Sequence, residues 1–229
     1  MRSSFNAPLA RHAGRLAALL CALVVHAPAS AGAAETIDTL RQQGYAVRSV
    51  TPVFSQLVMM SFPAGFQAAF EETRGGNYIH EAVLNGENVN NWTQMVTLSG
   101  VKEQALNPNI TPEKLVNQIA GGFKQACPSS FSAALLVRGQ LAGFDAFSAV
   151  ISCGSSATPV GKASETTMFT AIKGERDYYT IQWALRGAPS ATPLLIDTQQ
   201  WLARLRQLTP IKLCPIVPGE AAPYPSCVQ

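Results

Sequence analysis

The stretch that decides the fold is SQLVMMSFPAGFQAAFEETRGGNYIHEAVLNGE, residues 55–87. It consists of apolar runs of strand length that are interrupted by Pro-Ala-Gly, Gly-Gly and Asn-Gly, and these are turn sequences. In the third run, apolar and polar side chains alternate, so Tyr78 and His80 lie on one face and Glu81 on the other. We therefore expect consecutive antiparallel strands near residues 55–62, 66–73, 78–84 and 92–99.

The strongest helix signal follows in NITPEKLVNQIAGGFKQAC, residues 109–127. Thr111 can cap the helix and Pro112 suits its first position. An apolar stripe then runs through Leu115, Ile119 and Phe123. Gly121 and Gly122 weaken the interior of the helix, and we expect them to permit a close approach to a sheet.

The second half of the chain returns to strands. Three to four antiparallel strands are expected between residues 133 and 186, with turns at Gly139, Gly143 and residues 173–177. Asp197 can then cap a second helix, with Gln200 completing a capping box and Trp201, Leu205 and Leu208 on one face. Strands, helix, strands and helix in this order predict an α+β fold, an antiparallel β-sheet covered by two main helices.

The N-terminal segment has the pattern of an export signal. Three arginines precede the apolar run LAALLCALVV, and ASA at residues 29–31 resembles a cleavage box. We expect residues 1–31 to be a signal peptide that is cut after Ala31 or Ala34. A short polar helix is expected at residues 35–43, a single α+β domain at residues 45–214, and a Pro-rich C-terminal tail at residues 215–229. The apolar run is shorter than the ~20 residues of a spanning helix, so no membrane span is expected after cleavage.

Charge and localisation follow from the same cut. The formal net charge of +3 comes from the three arginines that leave with the signal, so the mature chain is neutral and nucleic acid is not an expected partner. The expected location is the periplasm or the outside of the cell, where disulfides persist.

Four cysteines remain after cleavage, and four cysteines allow three pairings. We favour Cys127 with Cys153, which would join the end of a helix to a strand of the next hairpin. We also favour Cys214 with Cys227, which would close the Pro-rich tail. A metal site is disfavoured because the close cysteine pairs that zinc sites use are missing.

Two further stretches carry candidate ligand or partner residues. GENVNNWTQMVTLSG, residues 86–100, places an Asn-rich turn beside a tryptophan, which favours a scaffold joint over a ligand contact. RDYYTIQWALRG, residues 176–187, could present polar side chains to a partner, although its alternation favours a central buried strand. The possible ligand or partner surface comprises Glu87, Trp92, Arg176 and Gln182.

These motifs together resemble a known fold family. FPAGF between strands, an Asn-Trp-Thr strand before a helix, KGERDYYTIQWALRG and a closing amphipathic helix are similar to the Mog1/PsbP-like α/β sandwich. The block GExxxNWTxMxTxxG and the Cys-Pro after the last helix resemble small exported proteobacterial proteins. The resemblance covers roughly residues 54–214. It implies a non-enzymatic accessory or interaction module, although a fold does not fix a function.

Catalytic chemistry has few groups to use. His80 is the only histidine outside the signal segment, and its neighbour Glu81 points to the opposite face of the strand. Neither a GxSxG elbow nor a phosphate-binding lysine motif is present. We therefore expect an exported, soluble, non-enzymatic binding or accessory module of the bacterial envelope, with an unknown protein or small ligand as partner and with no catalytic residue, cofactor or metal. The alternative is a secreted hydrolase that uses His80 or a pair of carboxylates.

Overall fold

The computed structural model describes residues 47–228, which belong to one compact unit. The predicted signal peptide and the predicted helix at residues 35–43 lie outside the described residues. The strands are β1 Val47–Val53, β2 Gln56–Phe62, β3 Phe66–Arg74, β4 Asn77–Leu84, β5 Gln94–Val101, β6 Phe131–Leu141, β7 Phe144–Thr158, β8 Gly161–Lys173, β9 Tyr178–Gly187 and β10 Lys212–Pro215. The helices are α1 Pro112–Ala126, α2 Thr198–Gln207 and α3 Pro225–Val228, with a 3-10 turn at Gln104–Leu106.

The strands form two antiparallel sheets. Seven strands make the large sheet, in the order β3-β4-β5-β9-β8-β7-β6, and three make the small sheet, in the order β1-β2-β10. The predicted α+β class and antiparallel pairing are confirmed, and the four strands expected in the first half of the chain are β2 to β5. Neither β1 nor β10 was predicted from the sequence. Only Val53 of β1 is buried, so this edge strand lacks a continuous apolar face.

The two faces of the large sheet are covered differently. On one face, α1 packs its buried Val116 against Phe147, Ile151 and Phe169 of β7 and β8. On the other face, the small sheet and α2 share the covering layer and build the main core with Val150, Met168, Ile181 and Trp183. The two main helices therefore lie on opposite faces, because residues that alternate along β7 belong to different clusters.

Helix α1 begins as the sequence predicts, but its glycines do not act as expected. The Thr111 Oγ1 accepts a hydrogen bond from the Lys114 N–H at 3.2 Å. A Cβ atom added at Gly121 or Gly122 would meet nothing within 4 Å, so the expectation of a close approach to the sheet is wrong. The close approach occurs instead at Gly100 of β5, where an added Cβ would lie 2.5 Å from a methyl carbon of Val53.

Both favoured disulfides are present. Cys127 at the end of α1 is bonded to Cys153 of β7, with the two Cα atoms 5.5 Å apart. Cys214 of β10 is bonded to Cys227 of α3, with the two Cα atoms 5.6 Å apart. The second bond returns the Pro-rich tail to the small sheet, where Cys227 is buried beside Leu57. Within residues 47–228, the structure contains no helix with the length and apolar character required to cross a bilayer.

Candidate ligand cleft

A cleft of about 500 Å³ opens between α2 and the adjoining ends of β3, β4, β5 and β9. Its volume lies within the range of small-molecule sites in proteins. The described residues that line it are Pro63, Ala64, Phe66, Leu84, Gln94, Trp183, Gln200, Ala203, Arg204 and Gln207.

Helix α2 supplies one wall of this cleft. Gln200, Ala203, Arg204 and Gln207 follow the spacing i, i+3, i+4 and i+7, which places them on one face of the helix. The neighbouring face buries Trp201, Leu205 and Leu208 in the main core. This buried face fixes the rotation of the helix and so directs the polar face toward the cleft.

The start of α2 is fixed by a side-chain cap. The Asp197 carboxylate accepts hydrogen bonds from the backbone N–H groups of Gln199 at 3.0 Å and of Gln200 at 3.2 Å. Asp197 is thus the cap that the sequence predicts. The cap sets where the helical phase begins and therefore which side chains face the cleft.

The sheet supplies the opposite wall. Trp183 of β9 is buried, and Phe66 packs edge-on against it with ring centroids 5.5 Å apart. The Trp183 indole N–H donates to the side-chain carbonyl oxygen of Gln94 at 3.1 Å. This bond identifies which end of the Gln94 amide is the oxygen, and the other end carries two N–H donors.

Arg204 is the distinctive residue of the cleft. Its guanidinium carbon lies 4.9 Å from the ring centroid of Trp201 and 5.9 Å from that of Trp183, so it contacts one indole of the helix and one of the sheet. The residue is half-buried, and within residues 47–228 no carboxylate pairs with its guanidinium. Burial lowers the pKa of Arg204, although an arginine stays protonated in any ordinary buffer.

Arg186 of β9 is an arginine of the same fold whose charge is paired with a carboxylate. Its guanidinium carbon lies 3.7 Å from the ring centroid of Trp92, and its Nε donates to the Glu165 carboxylate at 3.1 Å. Arg186 therefore has both an aromatic and an acidic partner. Arg204 has only the aromatic partners, which leaves its charge without a counter-charge from the described chain.

A second cavity of about 380 Å³ lies on the other side of Arg204. Gln200 and Arg204 line both cavities, and Arg186, Leu195 and Asp197 belong to the second one only. Among its described lining residues the second cavity has one acidic residue, Asp197, and one of its two arginines, Arg186, is paired with Glu165. The larger cleft is the one in which Arg204 stands as the single charged residue among the described lining residues.

Two of the four predicted surface residues, Glu87 and Trp92, lie together in the Asn-rich loop. The Glu87 carboxylate accepts hydrogen bonds from the Thr93 N–H at 2.9 Å and from the Thr93 hydroxyl at 2.6 Å. Asn88 folds the same loop by accepting from two backbone N–H groups. Trp92 is buried with Val83 and lines a small cavity of about 190 Å³. These internal bonds favour the interpretation as a scaffold joint.

The other two predicted residues lie elsewhere. Arg176 is exposed beyond the opposite end of β9 and pairs with Glu103 at 3.4 Å. Gln182 lies within β9, half-buried, in register with Thr97 on one side and Phe169 on the other. The structure therefore does not collect the four residues into one cavity of the described chain.

The groups of the hydrolase alternative also lie outside the cleft. His80 is half-buried, with its ring edge-on to Phe62 at 5.6 Å between centroids. Glu81 lies on the opposite face of β4, where burial raises its pKa and the positive charge of Arg186 opposes the rise. Among residues 47–228, no group of three potential metal-ligating side chains comes together.

Asp177 is a second charged group that is removed from water, at the other end of β9. Its carboxylate accepts hydrogen bonds from the Ser55 N–H at 2.9 Å, the Ser55 hydroxyl, the Glu103 N–H at 2.6 Å and the Tyr179 hydroxyl at 3.3 Å. Burial alone would raise the pKa of Asp177, but these hydrogen bonds outweigh burial and lower it. The carboxylate thereby ties the β1–β2 turn and the segment after β5 to the start of β9.

Sequence reasoning missed Arg204. The signal available was a polar stripe, Gln200, Ala203, Arg204 and Gln207, beside the apolar stripe of the predicted helix. Such a stripe normally faces solvent. It becomes a cleft wall because the β2–β3 turn, with Pro63 and Ala64, rises opposite it, and this long-range placement leaves no local trace in the sequence.

Comparison with known proteins gives no family. A scan against protein-family models found no match, and a search of curated proteins found none. Similar solved structures include a protein from Bacteroides thetaiotaomicron, with 13% identity, a TM-score of 0.40, and coverage of 76% of this chain and 49% of that chain. The chain thus spans about half the length of that protein.

Two other solved structures are also similar to this chain. One is LpqN of Mycobacterium tuberculosis, described as involved in cell envelope biogenesis, with 12% identity, a TM-score of 0.37, and coverage of 80% of this chain and 100% of that chain. The other is the Ran-binding protein Mog1p of Saccharomyces cerevisiae, with 9% identity, a TM-score of 0.37, and coverage of 71% of this chain and 85% of that chain. At such TM-scores these likenesses carry no argument about function.

Proposed function

We propose that the protein is an exported, non-enzymatic binding module of the bacterial envelope that takes a small ligand into the cleft between α2 and the large sheet. The observation that carries this proposal is the Arg204 guanidinium, which faces a cleft of about 500 Å³ without an acidic partner in the described chain. Export is supported by the signal-like N-terminus and by the two disulfides.

The energetics of Arg204 support a binding role. Removing a charge from water is costly unless a partner compensates it, and the two indoles compensate only in part. A fold that needed this arginine for its own stability would be expected to supply a carboxylate, as it does for Arg186. A ligand that brings the counter-charge would explain why residues 47–228 supply none.

The composition of the cleft supports binding without catalysis. Arg204 is the only titratable side chain among the described lining residues, which include no serine or cysteine nucleophile. An arginine is a poor general acid or base because its pKa is far above neutral pH. The cleft can therefore orient and neutralise a ligand, but its described residues offer no group for covalent chemistry.

The three tryptophans provide a direct test. Trp183 and Trp201 flank Arg204, whereas Trp92 lies at the Asn-rich loop. In a fragment screen monitored by the NMR signals of the three indole N–H groups, a cleft ligand should shift the signals of Trp183 and Trp201 and leave Trp92 unchanged. Mass spectrometry should recover that ligand chemically unaltered.

A matched pair of variants controls this screen. Ala203→Phe fills the cleft from α2 and should abolish the shifts, whereas Arg206→Phe adds the same ring to the exposed side of the same helix and should preserve them. Shifts that survive Ala203→Phe, or a ligand that is recovered as a reaction product, would contradict the proposal.

A further inference from the structure

We propose that the ligand of this cleft is a small acid with a single negative charge on an apolar body. Its charged head would lie between Arg204 and Gln94, and its body would lie against Phe66, Leu84 and Trp183. This inference rests on the proposed function and deepens it, because it assigns the chemical class of the ligand.

The polar groups of the cleft determine the hydrogen-bonding character of the ligand's head group. The Arg204 guanidinium can only donate hydrogen bonds, and it presents a planar fork that matches the two oxygens of a carboxylate. The Gln94 side-chain oxygen already accepts from the Trp183 indole at 3.1 Å and keeps one lone pair, and its amide nitrogen adds two N–H donors. The head must therefore accept hydrogen bonds from Arg204, and the same acceptor oxygens can accept from the Gln94 amide.

The charge of the ligand's head group is inferred from the charge of the residues that line the cleft. Arg204 is the only charged residue among the described residues that line the cleft. One negative charge neutralises it, whereas a doubly charged head would keep an uncompensated charge in a half-buried site. A cationic head would be repelled, and a neutral head would leave the guanidinium unpaired.

The apolar body of the ligand is inferred from the wall of the cleft that the sheet side supplies. Pro63, Ala64, Phe66, Leu84 and Trp183 present apolar surface on the sheet side of the cleft. An apolar ligand body removes this surface from water together with its own, which favours binding. An inorganic anion would use the head position and leave the apolar wall uncovered.

Three ten-carbon probes test the charge of the ligand's head group. Decanoate, decanamide and decylamine differ in charge and share one apolar chain, and isothermal titration calorimetry on the folded chain gives their Kd values. A charge-assisted bond to Arg204 should make decanoate at least ~10-fold tighter than decanamide. Decylamine should bind more weakly than either.

Substitutions at two arginines of α2 assign the effect. Arg204→Gln keeps a polar side chain and removes the charge, so the Kd of decanoate should rise to that of decanamide while the Kd of decanamide changes little. Arg206→Gln removes an exposed charge from the same helix and should preserve the preference. Arg204→Lys keeps the charge without the planar fork and should restore part of the preference. Far-ultraviolet circular dichroism confirms that each variant is folded.

The possible outcomes separate this inference from the proposed function. If decanoate and decanamide bind equally, or if Arg204→Gln leaves the preference intact, the inference fails and the binding function stands. If decyl phosphate, with its higher charge at neutral pH, binds more tightly than decanoate, the single negative charge is wrong. If no probe, charged or neutral, shifts the indole signals of Trp183 and Trp201, the result counts against the cleft as a binding site.

Discussion

Asp177 and Arg204 lie at opposite ends of the large sheet and have opposite electrostatic situations. Asp177 is 1% exposed, and its carboxylate accepts four hydrogen bonds from the protein itself. Arg204 is half-buried against two indoles and has no acidic partner within residues 47–228. Within residues 47–228, the fold thus satisfies the charge of Asp177 completely and supplies no counter-charge for Arg204.

The difference teaches how to separate a structural charge from a functional one. A buried charge that the fold needs is surrounded by donors or acceptors, because each unsatisfied group would destabilise the folded state. A half-buried charge that stays unsatisfied next to a cleft lowers stability slightly and gains a partner only when a ligand binds. Substitution should therefore lower the stability of the protein strongly at Asp177 and hardly at Arg204.

The largest effect is expected at Asp177. Asp177→Asn keeps the shape of the side chain but replaces a charged acceptor with an amide, whose N–H group would face donors of Ser55 and Glu103. We expect the free energy of unfolding in urea to fall by about 2–4 kcal/mol. Asp145→Asn, which changes an exposed carboxylate of β7, should change it by less than about 0.5 kcal/mol. Equal losses of unfolding free energy in Asp177→Asn and Asp145→Asn would contradict a structural role of Asp177.

Low pH should also destabilise the folded protein through Asp177, because protonation removes the same charge. The pKa of Asp177 in the folded protein lies below its usual value of 3.8, so its contribution to stability is complete above that pH and is lost as the pH falls through the folded-state pKa. Unfolding curves measured from about pH 6, where the carboxylate is ionised, down to about pH 2.5 should show a smaller loss for Asp177→Asn than for the wild type. An identical pH dependence in both proteins would contradict this assignment.

An intermediate effect on stability is expected at Arg186, which unlike Arg204 is paired with a carboxylate. Arg186→Gln removes the stacking on Trp92 and leaves Glu165 without its partner. The free energy of unfolding should fall by about 1–2 kcal/mol. The double variant with Glu165→Gln should lose less than the sum of the two single variants, because the two side chains act as a pair. Strict additivity would show that the ion pair contributes nothing.

The smallest effect on stability is expected at Arg204. Arg204→Gln removes a half-buried charge that lacks a counter-charge and also removes the contacts with Trp183 and Trp201, so the two consequences oppose each other. We expect the free energy of unfolding to change by less than about 0.5 kcal/mol, a change typical of surface substitutions. A loss as large as that of Arg186→Gln would show that Arg204 serves the fold.

The sequence predicted most of the fold and little of the site. The Pro-Ala-Gly turn between β2 and β3, the Gly-Gly hairpin between β3 and β4, the Thr111 cap and the Asp197 cap are local signals, and each marks the end of an element of the structure. The Pro-Ala-Gly turn does not join paired strands, because β2 and β3 belong to different sheets. The small sheet was missed because its edge strands β1 and β10 are short or only partly buried, so they lack a strand-like apolar pattern.

The cleft could not be predicted for a different reason. Arg204 and Gln94 are far apart in the chain, and their proximity depends on how α2 is set against the large sheet. Gly121 and Gly122 show the converse error, because a local pattern suggested a close contact that the tertiary structure does not make. Local patterns report the elements, whereas a site between elements depends on their arrangement.

Ligand-induced stabilisation tests the central claim most directly. Urea unfolding of the wild type and of Arg204→Gln should be measured with and without decanoate at a fixed concentration below micelle formation. A ligand that binds the folded state raises the free energy of unfolding by mass action. We predict a clear rise for the wild type and little or none for Arg204→Gln, with equal stability of the two proteins in the absence of decanoate. The same rise in both proteins, or a marked loss of stability in Arg204→Gln without ligand, would contradict the account.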